Sequence, residues 1–200
     1  MMNAKFFDLK KEKQDRMINA ALKCFALCGY KHASTDEMVK EAAISKGLLF
    51  HYFGSKQGVY RFVYDYSVRY INLDLRMYVD ARETNLFEVV KQIERAKLHV
   101  MKEYPYMQQF LNASAKEDAA EVVDFIAEKK TALEDTYRTI YERIDYSCLP
   151  EGIPSEKVTR MIDFTIKGLM SEAVGRDDFR VEEVHREICE FLDLYQQLFA

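Results

Sequence analysis

The chain has 200 residues, of which 48% are hydrophobic and 31% are charged, and its formal net charge is −4. This length suits one domain or two small ones with a sizeable core, and the low proline and glycine content argues against disorder. No stretch approaches the ~18 consecutive apolar residues of a membrane helix, and the N-terminal sequence MMNAKFFDLKKEK lacks the apolar region of a signal peptide. We therefore expect a cytoplasmic protein with no membrane partner.

The charges are distributed unevenly along the chain. Residues 1–61 contain 11 Lys and Arg against 6 Asp and Glu, whereas the remaining residues contain 18 against 27. A basic segment attracts nucleic acid and an acidic one repels it. The asymmetry predicts an N-terminal part that faces nucleic acid and an acidic remainder with another role.

The first predicted helix runs from about Lys10 to Leu27 and stops at Gly29, because apolar residues recur at helical spacing, at Ile18, Ala21, Leu22 and Phe25. This helix would brace the segment that follows it. Its N-terminal lysines either contact phosphates or form a solvated face, and the sequence favours neither interpretation for Lys10, Lys11 and Lys13.

Two short helices follow within a few residues of each other. Ser34 and Glu37 have the spacing of a capping box, and Ser45 can cap a second helix that runs from Lys46 to about Tyr52. A third, longer helix would begin at Ser55. Two short helices joined by a tight turn are typical of a helix-turn-helix, whose second helix enters the major groove of DNA.

This stretch closely resembles the DNA-binding signature of the TetR family of bacterial repressors. The resemblance is carried by the residue types and spacing of Thr35, Met38, Val39, Ala42, Ile44, Ser45, Lys46, Gly47, Leu49, Phe50, His51, Tyr52, Phe53, Ser55 and Lys56. Ala43 departs from the pattern, because a glycine is usual there, and so does Val39, where a smaller alanine is common. If the turn needs a positive φ, Ala43 would cost about 1 kcal/mol.

The resemblance implies a set of DNA-binding residues. Tyr52 and Lys56 would hold backbone phosphates, and residues at or near base edges would be Lys46, Leu48, Phe50 and His51, so that the full predicted set is Thr35, Ser45, Lys46, Gly47, Leu48, Phe50, His51, Tyr52 and Lys56. Leu48 and Phe50 stand where threonine and tyrosine are common, so two hydroxyl contacts are lost. Core packing is the alternative role for Phe50, and an unremarkable surface position is the alternative for His51.

The rest of the chain is predicted to be helical, which makes the fold class all-α. Apolar periodicity and loop signals predict helices over 55–81, 86–104, 105–112, 116–146, 155–174 and 181–199. The resemblance implies that the helix over 55–81 connects the DNA-binding head to the body. We predict an N-terminal helix-turn-helix domain at 1–61, and a helical-bundle domain for effector binding and dimerisation at 62–200.

The last two predicted helices have more apolar surface than one bundle contact needs. We therefore predict a homodimer interface, which the resemblance also implies, formed by Val158, Ile162, Thr165, Leu169, Val184, Ile188, Phe191 and Tyr195. The alternative is that these residues form a core within one chain. A dimer would place two heads on a palindromic operator in double-stranded DNA.

The body is expected to bind an unknown small-molecule effector that releases the protein, acting as a repressor, from DNA. A cavity for an apolar or aromatic effector could be lined by Met77, Met101, Tyr104, Met107, Phe110, Phe125, Tyr137, Tyr141, Met161 and Phe164. Such residues occur in any helical core, so core packing is the alternative for each. Control by a protein partner, or constitutive action without any ligand, is the alternative for the function.

Enzymatic activity is not predicted, because none of the G-x-S-x-G, H-E-x-x-H, phosphate-loop or C-x-x-C motifs occurs. No cofactor and no metal site are predicted. Cys24 and Cys28 have a spacing that could hold a metal or sense oxidants, but two small core residues are the favoured interpretation. His185 and Cys189 repeat this spacing, and a metal site is not predicted there either.

Overall fold

The computed structural model describes residues 4–174 and 180–199. Within these ranges the chain forms a short 3-10 turn at Ala4–Phe6 and nine helices, which are α1 (Lys11–His32), α2 (Thr35–Glu41), α3 (Lys46–Phe53), α4 (Lys56–Tyr78), α5 (Leu86–Glu103), α6 (Met107–Ser114), α7 (Val123–Glu142), α8 (Ser155–Val174) and α9 (Val181–Phe199). The only β-type pairing in these ranges is an isolated bridge between Asn85 and Asp145. The predicted all-α class is confirmed. None of the described helices is both long and apolar enough to cross a membrane.

Most predicted helix ends lie within a few residues of the observed ones. Gly29 has a φ of 67° and interrupts α1, as its predicted role as a stop requires, but one further turn follows it. The start of α7 was predicted wrongly, because residues 116–122 form turns rather than helix. There the Glu117 carboxylate accepts hydrogen bonds from the backbone N–H groups of Tyr30 and Ala119. The predicted stop at Gly175 lies outside the described residues.

The chain divides into two compact units that do not follow the chain order. The first unit contains the residues up to Asn72 together with Glu103–Asp135, and the second contains Leu73–Lys102 together with the residues from Thr136 onward. The predicted boundary at residue 61 is a division by function and stays a prediction. Structurally, the helix-turn-helix segment shares its unit with α6.

The core of the first unit joins α1, α4 and α6 through aromatic rings and one buried hydrogen bond. The ring centroids of Phe25 and Tyr60 are 4.9 Å apart, and those of Tyr60 and Phe110 are 5.2 Å apart. The Tyr60 hydroxyl donates to Ser114 Oγ at 2.8 Å, and the Ser114 hydroxyl donates to the Phe110 carbonyl oxygen. Every buried hydroxyl in this cluster therefore has a partner, which is what a rigid support for α1 needs.

The second unit contains the pair of helices α8 and α9. Four of the predicted dimer residues are buried inside the single chain, at 2–6% exposure, namely Val158, Ile162, Val184 and Ile188. For these four the placement corrects the prediction, because side chains enclosed between helices of one chain have no surface to offer a second copy. Thr165 and Tyr195 are half-buried and share a hydrogen bond of 2.7 Å between their hydroxyls. Leu169 and Phe191 are also half-buried.

Candidate nucleic-acid interface

The two short helices begin at the predicted serine caps. The Ser34 hydroxyl accepts hydrogen bonds from the backbone N–H groups of Asp36 and Glu37, and the Ser45 hydroxyl accepts one from Leu48. Such caps satisfy backbone donors that a helix start leaves without partners. In helices this short, the caps define where α2 and α3 begin.

The turn between α2 and α3 closes around Ala43. Its φ is 52°, and it is the one residue other than glycine with a positive φ in the described chain. The N–H of Ile44 donates to the Val39 carbonyl and the N–H of Ala43 donates to the Lys40 carbonyl, at 3.0 and 3.2 Å. This pair of bonds is a Schellman motif, in which glycine normally occupies the left-handed position. The turn therefore keeps the geometry that a glycine would give, at the cost of strain at Ala43.

Helix α3 turns one side into the protein and leaves the other side accessible. Leu49 is buried on the inner side. The predicted DNA-contacting residues of α3 and its cap are accessible, since Ser45, Lys46, Gly47 and His51 are exposed and Leu48, Phe50 and Tyr52 are partly accessible. Thr35 at the start of α2 and Lys56 at the start of α4 are also partly accessible. The structure thus brings together on one short segment all nine residues that the resemblance indicated.

Lys46 has an ion-pair partner that the sequence did not reveal. Its Nζ lies 2.8 Å from a carboxylate oxygen of Asp36 on α2, and both side chains are at least half exposed. Exposed pairs of this kind contribute little stability, so the ammonium group can exchange the carboxylate for another acceptor. Asp36 therefore positions Lys46 without preventing a contact to DNA.

Tyr52 rests on an aromatic cluster that begins at the N-terminal turn. Phe6 is fully buried, and its ring centroid lies 5.7 Å from that of Tyr52, 5.3 Å from that of Phe53 and 4.8 Å from that of Phe62. Aromatic pairs at these distances and in edge-to-face or tilted arrangements are favourable and directional. The short N-terminal turn thus fixes the end of α3 against α4. The role of Phe6 was not predicted, because its only signal in the sequence is an apolar pair in a charged segment.

Lys56 is bound within the protein rather than left extended. Its Nζ donates to the carbonyl oxygens of Lys31 and Ala33 at 3.2 and 3.3 Å, and it lies 4.7 Å from the centre of the Tyr30 ring. The carbonyls at the C-terminal end of a helix attract a cation. Lys56 therefore ties the start of α4 to the end of α1, whatever phosphate contact it also makes.

Lys11 also has partners inside the first unit. It donates to Asp15 Oδ1 and to the Tyr104 hydroxyl, at 2.5 and 2.9 Å, and the Tyr104 hydroxyl donates to the same carboxylate oxygen. Burial opposes the charge on Lys11, but the hydrogen bond to Asp15 leads the interactions that outweigh it and raise the pKa. Of the two interpretations for the N-terminal lysines, neither a free phosphate contact nor a purely solvated face describes Lys11.

The predicted effector-lining residues are divided between the two units. Tyr104, Met107 and Phe110 are buried in the first unit, where they pack with α1 and α4, and Phe125 there contacts Tyr64. Tyr137, Tyr141, Met161 and Phe164 belong to the second unit, as do Met77 and Met101. Met77 is 62% exposed. The ten residues therefore do not line one cavity within either unit.

Comparison with known proteins agrees with the geometry of this segment. The family model described as bacterial regulatory proteins, tetR family, matches residues 17–61. An uncharacterised HTH-type transcriptional regulator, YuxN of Bacillus subtilis (strain 168), is 47% identical over 49 residues, which is 24% of this chain and 17% of that protein. The matched part of the chain spans about a sixth of this curated relative.

Solved structures extend the similarity over nearly the whole chain. A TetR family transcriptional regulator from Chloroflexus aurantiacus J-10-FL has a TM-score of 0.60 at 19% identity, over 97% of this chain and 94% of that one. The TetR family regulator PfmR from Thermus thermophilus has a TM-score of 0.58 at 18% identity, over 88% and 96%. At these identities the likeness establishes the fold. The helix-turn-helix segment thus matches the tetR family model, and the chain as a whole has the fold of solved TetR family regulators. YuxN and the two solved proteins are each described as transcriptional regulators.

Proposed function

We propose that the protein is a transcriptional repressor that binds a palindromic operator as a homodimer and leaves it when a small apolar or aromatic effector binds. The observation that carries the DNA-binding part is the accessible side of α3, where Lys46 and His51 are exposed on a helix that begins at the exposed cap Ser45. Lysine can donate to guanine, and apolar side chains can pack on a thymine methyl group.

A dimer is supported by apolar side chains that remain exposed on α8 and α9. Phe164, Leu194 and Leu198 are 58%, 47% and 64% exposed. A depression of about 470 Å³ runs beside Phe164 and is lined by Lys157, Arg160, Met161, Phe164 and Thr165. Large exposed apolar side chains on adjacent helices mark an interaction surface. A second copy of the chain is the proposed occupant, because a palindrome requires two heads.

This surface is tested by placing a charge on it. Phe164→Glu with Leu198→Glu is expected to convert a dimer to a monomer in analytical ultracentrifugation, because two carboxylates would be buried in the interface. Leu27→Glu is the matched control, since Leu27 is 58% exposed but lies on α1. An unchanged mass for the double variant would contradict the proposed interface.

The effector is proposed to bind beside an ion pair in the second unit. Lys97 Nζ lies 2.6 Å from Glu94 Oε1, and the side chains are 32% and 6% exposed. Burial opposes the charge on Lys97, but the Glu94 carboxylate outweighs it and raises the pKa of the lysine. Tyr137 and Tyr141 lie close enough to interact with this pair, and burial raises the pKa of both phenols.

These four side chains combine enclosure with accessible surface. The Lys97 side chain keeps 32% of its surface accessible, although burial opposes its charge. Ligand sites in proteins join apolar walls to a few orienting polar groups. Here Lys97 and the two phenols would orient the effector. Of the predicted lining residues, Tyr137 and Tyr141 carry this proposal.

Two experiments test the proposal. Selection of fragments of the source genome by the dimer is expected to enrich a palindromic sequence, and enrichment of none would contradict operator binding.

For the effector site, anilinonaphthalene sulfonate is the probe, and its fluorescence is expected to saturate at one site per chain. Tyr137→Phe with Tyr141→Phe should weaken this binding several-fold, whereas Tyr78→Phe should not. Absence of saturable binding would favour control by a protein partner.

A further inference from the structure

Two cysteines of α1 and one glutamate of α2 form a cluster of ligand-type side chains at the base of the helix-turn-helix. Cys24 and Cys28 are one helical turn apart, and Glu37 lies in the first turn of α2. The two sulfur atoms and a carboxylate oxygen all lie within 4.8 Å of one another. The cysteine spacing was visible in the sequence, but the glutamate joins it only because the chain reverses at Ser34.

We propose that Cys24, Cys28 and Glu37 bind a zinc ion that links α1 to α2. Thiolate and carboxylate groups are established zinc ligands, and hard cations such as magnesium and calcium avoid sulfur. Tetrahedral ligands of zinc lie about 3.8 Å apart, so the three groups need to contract by only about 1 Å. Side-chain rotation can supply that movement, and the fourth position is left for a water molecule.

The surroundings of the three groups suit a metal site. Cys24 is buried, and in the metal-free protein its thiol donates to the Ser34 carbonyl oxygen at 3.7 Å, a hydrogen bond that the zinc-bound thiolate gives up. Cys28 is exposed and offers the ion a route of entry. Gly29 follows immediately with a φ of 67°, so the regular helix ends beside Cys28 and leaves it room to adjust. Among the described residues, no hydrogen bond or ion pair occupies the Glu37 carboxylate.

Zinc binding does not change the net charge of the site. The Zn²⁺ ion displaces two thiol protons, so the site carries one net negative charge both before and after binding. Electrostatic attraction to DNA is therefore unchanged, and the effect is mechanical, because the ion holds the first helix of the helix-turn-helix against α1.

The test is a zinc titration of the full chain, kept reduced with a phosphine, against a colorimetric chelator. One zinc ion per chain is expected to bind with submicromolar affinity and to raise the temperature of unfolding, because the ion binds the folded state alone. Cys28→Ser should lower the affinity at least about tenfold and abolish the thermal shift. Glu37→Gln is the second ligand variant. Cys28 and Glu37 both have accessible side chains, so the two variants are expected to fold.

Two controls make the outcome decisive. Cys148→Ser and Cys189→Ser remove cysteines outside the cluster and are expected to leave the affinity unchanged. Equal zinc affinity in wild type and Cys28→Ser, or weak binding shared by all variants, would overturn the proposal. These results do not depend on DNA binding, so failure here is distinguishable from failure of the proposed function.

Discussion

Lys56 holds its ammonium group 4.7 Å from the centre of the Tyr30 ring, and the same group donates to two carbonyl oxygens at the end of α1. The residue that the family resemblance assigns to a phosphate thus also supports the head itself. A substitution at this position therefore has two effects, one on stability and one on DNA affinity.

Replacing Lys56 by methionine is expected to lower the free energy of unfolding by about 1–2 kcal/mol, because a cation–π contact and two charged hydrogen bonds are lost. Denaturant unfolding measures this change. Lys40→Met is the control, since Lys40 is an exposed lysine on the neighbouring α2. Equal stability of the two variants would show that Lys56 acts on DNA alone.

Ala43→Gly is expected to raise the free energy of unfolding by about 0.5–1 kcal/mol. The left-handed conformation costs an alanine about 1–2 kcal/mol, and the greater freedom of glycine in the unfolded chain offsets part of the gain. Ala42→Gly is the matched control, because its φ is −74° and the same change there should destabilise the protein. A change of the same sign in both variants would contradict strain at Ala43.

Gly58→Ala is expected to destabilise the junction between α3 and α4. A Cβ atom at this position would lie 1.8 Å from the Phe53 carbonyl oxygen, which is backbone and cannot move aside. Overpacking of this kind costs about 1–3 kcal/mol. Gly168→Ala provides the comparison, because no atom lies within 4 Å of its Cβ and the helix should gain about 1 kcal/mol. Thermal unfolding of both variants should therefore show shifts of opposite sign.

The second unit contains a buried carboxylate that depends on one histidine. Asp74 is 2% exposed, and its Oδ2 lies 2.7 Å from His99 Nδ1. His99→Ala is expected to cost about 1–3 kcal/mol, because it leaves a buried charged group without this partner. His51→Ala, on the exposed side of α3, should change little. If both histidine variants unfold at the same denaturant concentration, the pair does not stabilise the unit.

The sequence predicted those features that depend on neighbouring residues. The caps Ser34 and Ser45, the break at Gly29 and the bounds of α9 all follow from local chemistry, and the positive φ at Ala43 was anticipated from a departure in the family pattern. The accessible residues of α3 were found in the same way, because the signature lies within one continuous stretch.

The features that were missed depend on contacts between distant residues. Phe6 packs under Tyr52, and Glu117 caps Tyr30, although these partners are 46 and 87 positions apart. Apolar periodicity likewise identified Val158 and Ile188 as buried, but it could not show whether a helix of the same chain or of a second chain covers them. For that reason four residues that are buried within the single chain were assigned to the dimer interface, although the bounds of α8 and α9 were predicted correctly. The dimer itself stays a prediction.

The central claim is that α3 reads duplex DNA with support from a basic head. The affinity of the full chain for its selected duplex, measured between about 50 and 200 mM salt, tests it most directly. The account predicts a fall of about two orders of magnitude or more over this range, because several phosphates are contacted. Lys46→Ala should in addition change the preferred sequence, while Lys130→Ala on α7 should not. Affinity that does not change with salt, or an unchanged preference in Lys46→Ala, would contradict the account.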